Sequence, residues 1–338
     1  MSERYSRQER FSGVGPEGQE RLRAASVVVV GAGALGSVLA ETMARAGLGR
    51  LTVVDRDYVE ASNLQRQSLF TEEDAERGLP KAVAAEARLR AINSEVEVRG
   101  LVADFAADNA APLVRGADLV LDGTDNFEAR FLLNDACLRA GVPWIYGACV
   151  AAHGVVLLVR PRVTPCLRCV LEEKPAPGSG PTCDTAGVVS PIVHVVAGIQ
   201  GAEALKVLAG RTEALLPGLV TVDLWAGVFE VMDLRGRAPW CPACTEARYD
   251  FADALASPAA VLCGRDAVQL RARAGERVDL ASLAGRLRRA GEVTANEHLV
   301  RFRAAGAEIV VFVDGRAIVK GVRDAAEARG LYSRYVGN

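Results

Sequence analysis

Three features of the sequence predict an α/β chain built on a doubly wound, Rossmann-like sheet. A glycine-rich turn, Gly31-Ala-Gly33-Ala-Leu-Gly36, follows a short β-branched run. Apolar strand-length segments alternate with helix-forming ones through the first half of the chain. Two Cys-x-x-Cys pairs, Cys166/Cys169 and Cys241/Cys244, then add a tetrathiolate zinc knuckle to the sheet. Strands that alternate with helices pair in parallel and are covered on both faces, which is the doubly wound arrangement.

Ser26–Val30 reads as the first strand, ending at Gly31, and Ser37–Arg45 as the helix after the turn, with Gly47 as its stop. Leu51–Asp55 completes a β-turn-α-β unit, the context in which a glycine fingerprint acquires meaning. Pro80–Ile92 has helical composition, with Pro80 suited to a first turn, and Val96–Val102 alternates as a strand does. Asp118–Asp122 is apolar enough for a buried parallel strand, Glu128–Arg139 is helical, and Trp144–Val150 and Gly154–Val159 are further strands. Residues 172–187 are rich in Pro and Gly and read as a long mobile loop. Ser190–Leu208 is a long apolar helix with Pro191 in its first turn, and Val220–Leu224 and Val228–Leu234 are strands leading to the second cysteine pair.

The expected domains are a nucleotide-binding domain over 1–245 that includes the metal site, a linker over 246–258, and a small α+β domain over 259–338. In the last of these a strand is followed by helix Leu280–Ala290, strand Leu299–Ala304, a hairpin over Ile309–Gly321 turning at Asp314-Gly315, and helix Asp324–Tyr335. No motif in it converts to chemistry, and its position after the knuckle suggests contact with a protein partner.

The chain has 338 residues, 50% of them apolar, enough for two domains with hydrophobic cores. A formal net charge of -2 without blocks of like charge speaks against a nucleic-acid partner. The polar start of the chain and the charged interruptions of its longest apolar stretch speak against export and a membrane span, so the expected location is the cytoplasm. There, cysteines in C-x-x-C spacing serve as reduced metal thiolates rather than disulfides. Cys166, Cys169, Cys241 and Cys244 supply four ligands and leave no open position, which marks a structural Zn²⁺ site. Cys137, Cys149 and Cys263 lie in apolar surroundings and read as core, while His153, His194 and His298 read as structural.

The glycine turn lets backbone approach a phosphate at a helix start, and Asp55, at the end of the second strand, is placed to accept bonds from ribose hydroxyls. Many dinucleotide oxidoreductases share that much. Here, however, Asp57, Asn63-Leu-Gln-Arg66-Gln67, Lys81 and Gly123-Thr-Asp125-Asn126 follow in succession, each near a strand end or helix start. With Arg4-Tyr-Ser-Arg7-Gln8, Thr182-Cys183 and Gly187-Val-Val-Ser-Pro191 also in order, the chain from about Arg4 to Cys244 resembles the ThiF/MoeB family. These relatives of ubiquitin-activating enzymes adenylate the C-terminal glycine of small ubiquitin-like sulfur carriers.

The resemblance implies an ATP- and Mg²⁺-dependent adenylyltransferase acting on a carrier with a diglycine C-terminus. Sulfur would then come from a donor such as a cysteine desulfurase, for thiamine, molybdopterin or tRNA thiolation. It implies a nucleotide site of Gly31, Gly33, Gly36, Asp55, Asp57, Asn63, Arg66, Lys81, Asp125 and Asn126, with Asp125 holding Mg²⁺. It also implies that Arg7 reaches the nucleotide of the neighbouring protomer in a homodimer, and that Cys183 lies over the carrier tail. The charge logic holds independently: a carboxylate attacking an α-phosphate is repelled by three phosphates, and Arg66, Lys81 and a cation on Asp125 offset that repulsion. Cys183 has no Lys, Arg or His close in sequence to lower its pKa, which leaves a covalent role open. Three alternatives stand beside this one. A tRNA-linked carboxylate as substrate fits poorly with the charge balance, an NAD-dependent oxidoreductase leaves Arg66, Lys81, Asp125 and the cysteines unexplained, and an inactive scaffold has no use for the phosphate residues.

Overall fold

The computed structural model describes residues 3–176, 180, 182–235, 240–254, 259–262, 267–271, 277–304 and 306–337. The chain divides into two compact units: Met1–Pro175 with Gly187–Leu255, and Ala176–Ala186 with Ala256–Asn338.

The first unit is an eight-stranded sheet of strands β1 (Ser26–Val30), β2 (Arg50–Asp55), β3 (Glu97–Val102), β4 (Leu119–Asp122), β5 (Trp144–Val150), β6 (His153–Val159), β7 (Gly218–Asp223) and β8 (Val228–Asp233). Their order in space is β3-β2-β1-β4-β5-β6-β7-β8. β1 to β5 run parallel, and the chain reverses direction across the sheet between β1 and β4, which opens a crevice at the carboxyl ends of those two strands. The valine run of β1 is buried on both sides: Val27 and Val29 enter one core, Val28 and Val30 the other. Helices Ala34–Ala46, Lys81–Ile92 and Ser190–Leu208 cover the first face, and Phe127–Ala140 the second.

The doubly wound expectation holds for half the sheet. β5 to β8 are antiparallel, because only Ala151 and Ala152 join β5 to β6, and a parallel return needs a crossover of a dozen or more residues. The Ser190–Leu208 helix is the one helix among the described residues long and apolar enough to cross a membrane. Here it is a core helix: Ile192, Val193, Val196 and Ala197 are buried in the first core. Its buried Gln200 is used internally, with Nε2 donating to the carbonyls of Asp122 (3.0 Å) and Ile145 (3.1 Å). Those two bonds tie β4 to β5 where the ladder between them spans only two residue pairs.

The second unit holds a six-stranded antiparallel sheet, β9 (Ala259–Leu262), β10 (Ala267–Leu270), β11 (Glu292–Ala295), β12 (Leu299–Ala304), β13 (Ala307–Phe312) and β14 (Ala317–Lys320), in the order β11-β12-β13-β14-β10-β9. Helices Leu280–Leu287 and Ala325–Tyr335 cover a core around Leu283, Phe302, Ile309 and Val311. The Asp314-Gly315 turn stands between β13 and β14, with Gly315 at φ +84. β11 escapes the sequence reading because it is an edge strand with three of its four residues exposed, so it lacks apolar alternation.

Two further expectations change. The loop over 172–187 contains a helical turn, Cys183–Ala186, with the Thr185 N–H donating to Thr182 Oγ1 at 3.2 Å; residues 177–179 and 181 lie outside the described residues, as does Cys263. Residues 246–254, linker-like in composition, are packed down: Phe251 meets Phe131 with ring centroids 4.9 Å apart, and Arg139 pairs with Asp253 at 2.6 Å.

Candidate functional site

Gly31 and Gly36 of the turn and Gly123 form one close backbone contact. Gly31 has φ +88, and a Cβ there would stand 2.6 Å from the Gly123 carbonyl oxygen. A Cβ on Gly36 would stand 1.7 Å from the Gly31 carbonyl oxygen, so the first turn of the Ala34–Ala46 helix is pressed against the end of β1. A Cβ on Gly123 would meet that same Gly31 oxygen at 2.5 Å. The Gly123-Thr124-Asp125 segment at the end of β4 is thereby held beside the glycine turn, at the topological switch point.

Asp55 ends β2 at the same edge. Its carboxylate accepts from the Ala32 N–H at 2.6 Å and the Asp57 N–H at 2.7 Å, which fixes it against the turn and leaves lone pairs for sugar hydroxyls. Burial pushes its pKa up; Lys81 works against that rise and the neighbouring Asp57 adds to it. Lys81 is 3% exposed, with Nζ 3.6 Å from Asp57 Oδ2. It opens the Lys81–Ile92 helix, whose start is tied down by the Lys81 N–H donating to the Asp57 carbonyl at 2.9 Å.

Arg66 and Asn63 share one turn. The Asn63 carbonyl accepts from the N–H groups of Arg66 (3.1 Å) and Gln67 (3.0 Å), while Asn63 Oδ1 accepts from the Glu60 N–H at 3.1 Å. Arg66 is half-buried and donates to the Ser62 carbonyl at 3.0 Å. Its neighbour Gln67 places Nε2 3.9 Å from where a Cβ on Gly33 would stand, which brings this turn to the glycine loop. Asp125 is exposed, and Asn126 Oδ1 accepts from the Ala129 N–H at 2.8 Å, so Asn126 caps the Phe127–Ala140 helix.

Arg56 was not singled out in the sequence, where a cation between two acids looks like a solvated surface charge. It donates to Asp104 Oδ1 at 3.0 Å and lies 4.0 Å from Asp57. Burial disfavours its charge, but Asp57, Asp104 and Asp125 together raise its pKa. That coupling joins Asp125 to the Asp57–Lys81 pair. The second unpredicted pair is Asp122–Arg130, both buried, with Arg130 Nε 3.6 Å from Asp122 Oδ2. Asp122 Oδ1 accepts from Thr124 N–H (2.8 Å) and Oγ1–H (2.7 Å), and Arg130 Nη2 donates to the Thr124 carbonyl at 2.9 Å. This brace fixes the backbone that presents Asp125. Its one sequence signal was an acid closing a fully apolar strand.

Arg7 is absent from this cleft. Its arm is pinned by Gln8 Nε2 donating to the Ala46 carbonyl at 3.0 Å, and Asn93 Nδ2 donating to Tyr5 Oη at 2.9 Å. Ala46 ends the helix whose start forms the glycine turn, so the arm docks about 20 Å from it by helix rise. Arg7 is exposed there.

The four cysteines converge. Cys166 Sγ lies 3.7 Å from Cys169 Sγ and 3.6 Å from Cys241 Sγ, and Cys169 Sγ lies 3.4 Å from Cys244 Sγ. All four sulfurs fall within 4.8 Å of one another. A tetrahedron with Zn–S bonds of about 2.3 Å has edges of about 3.8 Å, so the residues fit zinc. Without a cation the cluster shares its protons unevenly: hydrogen bonds to Cys169 and Cys244, then burial, hold the Cys166 thiol far above its ordinary range, while hydrogen bonds from Cys166 and Cys169 pull Cys244 far below it. A divalent ion removes that unevenness. The surroundings are also closed. The Leu167 N–H donates to Asn134 Oδ1 at 3.0 Å, and the Phe251 N–H to Asp135 Oδ2 at 2.9 Å, both acceptors coming from the Phe127–Ala140 helix.

The family model for ThiF matches residues 5–243. The chain belongs to the ThiF family. It is 47% identical over its whole length, and that of the relative, to the sulfur carrier protein ThiS adenylyltransferase of Bacillus subtilis. It is 43% identical to the sulfur carrier protein adenylyltransferase of Thermus thermophilus over 72% of this chain and 90% of that one. Among solved structures, E. coli MccB with MccA-N7isoASN superposes with a TM-score of 0.63 at 25% identity, covering 72% of this chain and 74% of that one. The ThiF match spans the glycine turn and ends within the second cysteine pair, so cleft and knuckle belong to one family unit.

Proposed function

We propose that this chain is an adenylyltransferase that uses ATP and Mg²⁺ to activate the C-terminal glycine carboxylate of a small ubiquitin-like sulfur carrier protein with a diglycine tail. A carboxylate oxygen forms a bond to the α-phosphorus, the bond from that phosphorus to the bridging oxygen breaks, and pyrophosphate leaves. The observation that carries this reading is Lys81, a cation buried at 3% exposure beside Asp57 and Asp55 at the glycine turn of the switch point. A buried lysine there serves phosphates, and the names of the relatives supply the carboxylate and the carrier.

No general base is required, since a C-terminal carboxyl is already ionised near neutral pH. The residues have to position and neutralise. Asp55 takes the ribose, Gly31, Gly33 and Gly36 let phosphate oxygens reach the helix start, and Asn63, Arg66 and Lys81 bind the triphosphate. Asp57 orients Lys81. Asp125 is an exposed hard-oxygen ligand on a braced turn that would hold Mg²⁺, and the ion would supply positive charge against that of the phosphates. With its arm docked at the far end of the Ala34–Ala46 helix, Arg7 acts only on the nucleotide of a second copy, which supports a homodimer. Sulfur from a donor such as a cysteine desulfurase then bonds to the glycine acyl carbon as that carbon's bond to AMP breaks and AMP leaves, in thiamine, molybdopterin or tRNA thiolation, with Cys183 the candidate for a covalent link to the carrier.

Pyrophosphate–ATP exchange with purified diglycine-ended carriers tests the reading. Exchange is expected only with a carrier present, and Asp125→Ala should reduce it by about a hundredfold or more. Exchange that needs no carrier, or that survives Asp125→Ala, overturns the assignment.

A further inference from the structure

We propose that Arg56 is a positioning residue for the nucleotide: it balances one oxygen of Asp57, so that Lys81, which faces the other, keeps its charge for a phosphate. The inference rests on the nucleotide reading of the cleft and adds a residue that acts through Asp57 rather than on the nucleotide.

Arg56 follows the end of β2, and a chain of alternating charges runs through it. Asp104 Oδ1 accepts from Arg56 Nη1 at 3.0 Å, Arg56 Nε lies 4.0 Å from Asp57 Oδ1, and Asp57 Oδ2 lies 3.6 Å from Lys81 Nζ. Each oxygen of Asp57 therefore faces a different cation. The far end of the chain is anchored to the backbone. Asp104 stands just after β3, where the Ala103 N–H donates to the Asp55 carbonyl at 3.1 Å and Asn109 Nδ2 donates to the Asp104 carbonyl at 2.7 Å. A guanidinium suits this link because its donors lie along different edges of one rigid plane, so it addresses two acids at once.

The need for a second cation follows from burial. The side chains of Asp57 and Lys81 are 15% and 4% exposed, and a charge buried to that degree is costly to leave without a counter-charge. At 3.6 Å Lys81 is held to Asp57 by charge and not by a hydrogen bond. Asp55 draws on the same ammonium, which opposes the rise that burial imposes on the Asp55 carboxyl. A lysine that balanced both carboxylates alone would have to abandon Asp57 on turning to a phosphate. With Arg56 beside Asp57 Oδ1, that carboxylate keeps a counter-charge while Lys81 turns.

Calorimetric binding of ATP with Mg²⁺ to the full chain tests the proposal through a double-mutant cycle of wild type, Arg56→Met, Asp57→Asn and the double variant. Arg56→Met should weaken binding about tenfold beside Asp57, and change it by less than about twofold in the Asp57→Asn background, where no carboxylate charge remains to be balanced. Arg56→Lys keeps the charge and should bind ATP within about threefold of wild type. Equal losses in the two backgrounds mean that Arg56 meets the nucleotide directly or only braces the strand ends, and overturn the proposal. Arg56→Met binding within about twofold of wild type overturns it too, as does Arg56→Lys binding no better than Arg56→Met. Arg56→Gln replaces Arg56→Met in the cycle, with the same expectations, if thermal denaturation shows the methionine variant unfolded. Wild-type protein that binds ATP but shows no carrier-dependent pyrophosphate–ATP exchange defeats the carrier reading alone, and the cycle still judges Arg56. Failure of the wild type to bind ATP overturns both.

Discussion

The four-cysteine cluster and the cleft at the glycine turn lie in the same unit and differ in how they present their polar groups. Around the cysteines four sulfurs face one point, and Asn134 and Asp135 take up the backbone N–H groups of Leu167 and Phe251, with Arg168 Nε buried there and without a hydrogen-bond partner. The cleft is open to solvent. Asp125 is exposed, Gln67 Oε1 has no partner, and Lys81 is buried beside two carboxylates. The cysteine side chains are directed inward at one point, whereas the cleft presents Asp125 to solvent, where a ligand can reach it.

Breaking the closed region should have the largest effect. Removing zinc with a chelator, or substituting Cys166→Ser, forfeits metal-binding free energy on the order of 10 kcal/mol and frees residues 241–254 from the Phe127–Ala140 helix. The expected result is a stoichiometric zinc content in wild type and a Tm more than about 10 °C lower in the variant. Zinc-free wild type with an unchanged Tm would remove the structural metal from the account.

Breaking the open region should cost activity first. Lys81→Met is expected to reduce carrier-dependent exchange by about a hundredfold to a thousandfold, with a smaller loss of Tm because Asp57 loses its cation. Exchange within about twofold of wild type means the cleft does not hold phosphates at Lys81.

The smallest effect sharpens the comparison from the knuckle side. Burial raises the Asp135 carboxyl from 3.8 to about 6, opposed mainly by the Phe251 N–H. Between about pH 4 and pH 6 the folded chain keeps a proton that the unfolded chain has released. Stability therefore falls as pH rises through that window, by about 3 kcal/mol in all, and is level above it. Urea unfolding of wild type and Asp135→Asn across this range should show the slope only in wild type. Parallel curves would mean that the carboxylate is solvated.

Much of the site was legible as pattern. Gly31, Gly36, Asp55, Lys81 and the four cysteines announce themselves because their spacing reflects local geometry: a tight turn, a strand end, a helix start, a metal hairpin. Arg56, Asp122, Arg130 and Gln200 did not. Each has an ordinary local reading, and its function arises from a partner far along the chain: Asp104 for Arg56, and the carbonyls of Asp122 and Ile145 for Gln200. The packed state of residues 246–254 was hidden for the same reason, since their anchors are Phe131, Asp135 and Arg139.

The amino-acid sequence alone determined which residues could hold a nucleotide and a metal, and that strands and helices alternate, because periodicity and glycine or cysteine spacing are short-range properties of a chain. Tertiary structure alone decided that Gly123 seats Asp125 against the glycine turn. It also decided that the arm bearing Arg7 docks at the opposite end of the helix from that turn. Those outcomes depend on which distant surfaces meet, and burial makes that choice only when the whole core assembles.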